Sequence, residues 1–71
     1  MREFTPRDEE VLMFIHNHQQ AKGYSPTVRE ISRNLYMSTT SVQRHLYKLV
    51  ELGYLRMTPK TPRSIVLNIA V

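Results

Sequence analysis

No cysteine occurs in this chain of 71 residues, which excludes a disulfide framework and a thiolate zinc site and leaves a reducing compartment open. Long apolar runs are missing too. No stretch approaches the roughly 18 residues a membrane helix requires, and "MREFTPRDEEVL" carries acids where a signal peptide has its apolar region. A soluble, cytoplasmic protein without a targeting segment is expected. Aromatics make up 8% of the residues, with no paired stacking platform of the kind RNA and single-strand binders use. Acids are scarce: six face ten Lys and Arg, for a formal charge of +4, a balance that favours polyanionic partners. Four of those six, Glu3, Asp8, Glu9 and Glu10, lie in the first ten residues, whereas "RMTPKTPR" near the C-terminus has three bases and no acid.

What is present is an ordinary globular composition, 41% hydrophobic and 23% charged, far from the signature of disorder. Residues 1–71 are expected to form a single domain with a small core. In "TPRDEEVLMFIHNHQQAKG", Thr5 caps, Pro6 takes the first helical position and Asp8 closes a capping box. Val11, Leu12 and Ile15 repeat at helical spacing and Lys22-Gly23 offers a stop, so a helix is predicted from about Pro6 to Lys22. Thr27 and Glu30 form a second capping box, opening a shorter helix with Val28, Ile31 and Leu35 on one face. A turn around Tyr36-Met37 leads to a third helix, whose Val42, Leu46 and Leu49 fall at i, i+4, i+7 and which Gly53 ends.

Beyond Gly53 the period changes. "YLRM" and "RSIVLNIAV" read as strands, with Ile65, Leu67 and Ile69 alternating against Ser64, Val66 and Asn68. The two prolines of "TPKTP" forbid ladder donors, which predicts a β-hairpin with a basic tip. The expected fold is α+β, mainly α: a three-helix winged helix-turn-helix with a C-terminal two-stranded wing.

The third helix opens on four consecutive hydroxyl residues, Ser38, Thr39, Thr40 and Ser41. One is enough for a cap, and hydroxyls are poor in helix interiors. A recognition helix entering the major groove by its N-terminal turns needs short side chains there, able to bond bases or phosphates. Gln43 and Arg44, one turn further in, are suited to bidentate contacts with adenine and guanine. Ser38, Thr39, Thr40, Ser41, Gln43 and Arg44 are therefore the candidate base readers. Arg29, Arg33, Lys48, Lys60 and Arg63 are candidate phosphate contacts, each able to release a counterion.

"TPRDEEVLMFIHNHQQAKGYSPTVREIS", "SVQRHLYKLVELGYL" and "PKTPRSIVL" resemble, in order, spacing and caps, the N-terminal DNA-binding domain of LexA-type SOS repressors. The resemblance implies that the third helix reads an operator, the second supports it and the hairpin contacts the backbone as a wing. It also implies a transcriptional repressor, bound to double-stranded DNA on an inverted-repeat operator. The turn "LYMSTT" is one residue shorter than the family's usual turn and lacks its glycine. Family repressors continue into a self-cleaving, dimerising domain, and no inducible switch is expected within residues 1–71. With no heptad seam left over, the chain is expected to be monomeric when free and paired on DNA.

Other readings fare worse. Two of the histidines, His16 and His18, stand at i, i+2 and point about 200° apart on a helix, so they cannot share a metal ion and none is expected. No nucleophile, base and oxyanion set can be assembled, so neither an enzyme nor a cofactor is expected. The alternative is a winged-helix protein–protein interaction module, which would place apolar and aromatic groups on the outer face of the third helix. Tyr47 is the one aromatic candidate there.

Overall fold

The computed structural model describes residues 4–58 and 65–68. Three helices, α1 (Pro6–Lys22), α2 (Val28–Leu35) and α3 (Thr39–Glu51), precede two short strands, β1 (Leu55–Arg56) and β2 (Val66–Leu67). The strands pair antiparallel with Leu55 opposite Leu67 and Arg56 opposite Val66. This is the winged helix-turn-helix arrangement expected from the sequence.

Each helix begins where its cap requires. Thr5 Oγ1 accepts from the Asp8 amide at 3.2 Å while Asp8 Oδ2 accepts from the Thr5 amide at 2.8 Å. Thr27 and Glu30 repeat the reciprocal pair at 3.1 and 2.9 Å, so two orphan donors are satisfied at each start. Ser38 caps α3 alone, accepting from the Ser41 amide at 3.1 Å. Gly53, at φ 88, ends α3 in a left-handed turn with Gly53 and Tyr54 amides returning to the Val50 and Leu49 carbonyls. Two such bonds make a Schellman closure.

The core joins Val11, Leu12 and Ile15 of α1, Ile31 of α2, Val42, Leu46 and Leu49 of α3, and Leu55 and Ile65 of the hairpin. Val28 and Leu35, expected inside, are only partly buried against it. α3 packs against α1, α2 and β1, so it is the most firmly seated element. The ladder is shorter than "YLRM" and "RSIVLNIAV" suggest. Asn68 N–H still reaches the Tyr54 carbonyl at 2.9 Å, and Gln19 of α1 donates to the Ile65 carbonyl at 3.0 Å, tying the hairpin to the first helix. Ile69, Lys60, Arg63 and the hairpin tip lie outside the described residues. Among the described residues no helix is long and apolar enough to cross a membrane.

Candidate nucleic-acid interface

With Val42, Leu46 and Leu49 fully buried, a rotation of about 100° per residue carries Thr40, Arg44 and Tyr47 to the opposite side of α3. Ser38, Thr39, Thr40, Gln43 and Arg44 are exposed and Ser41 is half-buried. The six candidate readers therefore gather at the N-terminal half of one helix, on and beside its outward face. Short hydroxyls come first, then the two long side chains suited to bidentate contacts. Ser38 holds the cap with its oxygen as acceptor, which leaves its hydroxyl proton available.

Arg29 and Arg33, four apart on α2, are both exposed and so share a side of that helix. Lys48 behaves differently from the other candidate phosphate contacts. Its ammonium lies 2.7 Å from Asp8 Oδ2 and its side chain is only 17% exposed. Its charge is committed to a carboxylate within the fold.

Asp8 is the residue whose role sequence reasoning undervalued. Read as a cap, it is completely buried, and it also gathers donors from α3. His45 Nδ1 stands 2.6 Å from Oδ1, Lys48 Nζ binds Oδ2, and the Thr5 hydroxyl adds a bond to Oδ2 at 2.9 Å. Burial by itself raises the pKa of the carboxyl, but Lys48, the Thr5 amide, His45 and the Thr5 hydroxyl together hold it well below the usual carboxylate range. An ionised carboxylate only accepts, so Nδ1 of His45 carries the proton in this contact. The pattern that hints at this is the i, i+3 spacing of His45 and Lys48 beside the apolar stripe.

Arg7 was likewise unmarked in the sequence. It donates to the Leu35 carbonyl at 2.7 Å and pairs with Glu10, so α1 satisfies an orphan acceptor at the end of α2. The turn that follows is closed by Tyr36 at φ 54, its N–H and that of Met37 returning to the Ser32 carbonyl. His18, in contrast, faces the α1–α2 connection, with Nδ1 at 3.0 Å from the Tyr24 carbonyl and its ring between those of Phe14 and Tyr24.

The order of elements, the exposed polar start of α3 and the hairpin agree with a family model described as LexA DNA binding domain, which matches residues 1–64. The chain belongs to the LexA DNA-binding domain family. LexA repressor of Staphylococcus aureus (strain USA300) is 44% identical over 66 residues, which is 92% of this chain and 32% of the relative. LexA repressor of Staphylococcus epidermidis gives the same identity and the same coverage of both chains, 92% and 32%. The chain thus spans about a third of the length of these LexA repressors. Membership of the LexA family assigns the chain to double-stranded DNA binding.

Proposed function

We propose that residues 1–71 form the operator-reading unit of a transcriptional repressor that acts in the cytoplasm on SOS-type genes and carries no catalytic activity of its own. α3 enters the major groove by its N-terminal turns. Ser38, Thr39, Thr40 and Ser41 approach the bases or the flanking phosphates, and Gln43 and Arg44 make bidentate contacts that carry most of the discrimination, at about 1–3 kcal/mol per good pair. Arg29 and Arg33 of α2 and Lys60 and Arg63 of the wing bind phosphates, while Lys48 stays with Asp8. The observation that carries this reading is the outward side of α3: hydroxyls, Gln43 and Arg44 stand exposed together. A protein-binding face would instead be depleted in charge and rich in apolar groups.

One recognition helix covers few base pairs, so two chains on an inverted repeat would supply the specificity a single chain lacks. Selection from a randomised duplex pool tests the reading. An enriched inverted repeat supports it. A pool that returns without enrichment, bound as well as its input, refutes sequence reading.

A further inference from the structure

Asp8 is 0% exposed and cannot touch a DNA duplex, yet two of its partners sit on the helix assigned to reading. We propose that Asp8 is a positioning residue for base recognition: its carboxylate clamps His45 and Lys48 and so sets the rotation and axial register of α3 in the groove. The inference rests on the reading of α3 as the recognition helix.

Apolar packing alone is a loose guide to orientation. Val42, Leu46 and Leu49 press α3 onto the core through contacts that are non-directional, whereas hydrogen bonds weaken steeply with misalignment. The clamp is directional at both ends. On the α1 side, the carboxylate is fixed by the Thr5 amide at 2.8 Å and the Thr5 hydroxyl at 2.9 Å, within a helix cap that cannot move without breaking. On the α3 side, His45 takes Oδ1 at 2.6 Å and Lys48 takes Oδ2 at 2.7 Å. One attachment would leave a pivot; two, three residues apart on the same flank, restrain both rotation and sliding.

Geometry then links the clamp to the readers. Arg44 immediately precedes His45 and Tyr47 immediately precedes Lys48, so a turn of the helix about its axis displaces Arg44 directly. Bidentate contacts tolerate little displacement, because both bonds must form at once. The buried carboxylate also separates this pair from an ordinary surface ion pair, whose contribution is small and screened.

Asp8→Asn tests the inference, since it keeps the shape and the oxygen that Thr5 and Lys48 share, while removing the charge and turning an N–H donor toward the Nδ1–H of His45. Binding is measured on the duplex that the unaltered chain selects and on a random duplex of equal length, at a temperature where circular dichroism reports a folded chain. The expected result is a loss of about ten-fold or more on the selected duplex, equivalent to one bidentate contact, with binding to the random duplex unchanged. His45→Asn, whose amide nitrogen replaces Nδ1, should keep more of the preference than His45→Leu. An unaltered ratio between the two duplexes in Asp8→Asn overturns the clamp and leaves base reading standing. If Asp8→Asn does not fold, Lys48→Met and His45→Leu give the same readout, and an unaltered ratio in both overturns the clamp equally. A wild-type chain that selects no sequence overturns base reading itself, a distinct outcome.

Discussion

Tyr36 holds φ 54 and is 94% exposed. A left-handed backbone costs a residue with a Cβ about 1–2 kcal/mol, and an exposed ring recovers little of that by contact. Glycine adopts the state freely but loses more chain entropy on folding. Tyr36→Gly is therefore expected to raise stability by about 0.5–1 kcal/mol, read as a higher thermal midpoint; a lower one would show that the ring has a partner in the folded chain. Arg29 and Arg33 carry a different expectation. Replacing either by Ala should weaken selected and random duplexes alike and reduce the salt slope by about one, and a loss confined to the selected duplex would make that arginine a base reader. Asp8 adds an acid dependence. Its folded pKa is depressed, so its contribution to stability is present above the unfolded value of about 3.9 and is lost as pH falls below it. The stability gap between the unaltered chain and Asp8→Asn should be full near neutrality and close in acid below about pH 4; a gap that persists unchanged in acid would contradict the ionised clamp.

α3 is held at both ends and on three sides, by the Ser38 cap, the Gly53 closure and its packing on α1, α2 and β1. The wing depends on much less. Two paired residues per strand are supplemented by Gln19 reaching the Ile65 carbonyl, and removing that donor from this partly buried bond costs about 1 kcal/mol. Gln19→Leu should therefore speed amide exchange at Val66 and Asn68, the amides the antiparallel register turns toward β1, while α3 stays protected, and equal acceleration everywhere would show that the hairpin and helices open as one unit. The helix limits were legible in the sequence because their causes are local: Thr5 with Asp8, Thr27 with Glu30, Ser38, Gly23 and Gly53 all act within a few positions. The contacts that join elements were not. Asp8 meets His45 across 37 positions, Gln19 meets Ile65 across 46 and Arg7 meets Leu35 across 28, and no short-range pattern encodes those pairings. For the same reason the outward face of α3, fixed by the period of Val42, Leu46 and Leu49, was visible in advance, while the true surroundings of Lys48 and His45 were not.

Taken as a molecule, the chain combines one exposed polar helix face with a net charge of +4; in the proposed reading, long-range attraction brings it to DNA and α3 decides where it stays. Among its exposed large apolar groups, Tyr24 and Tyr36 lie in the connections, Met13 on α1, Tyr47 and Val50 on α3 and Val66 on β2. The free chain is expected to be monomeric and to pair only on a palindromic duplex. Light scattering with and without that duplex checks both parts, and a tight dimer in the absence of DNA would contradict the expectation. That α3 reads bases through Gln43 and Arg44 is tested most directly by repeating the randomised-duplex selection with Gln43→Ala and Arg44→Ala beside the unaltered chain. Each variant should lose preference at its own one or two base pairs within each half-site while the rest of the motif survives. Recovery of the full, unaltered motif by both variants would contradict base reading by α3 through Gln43 and Arg44.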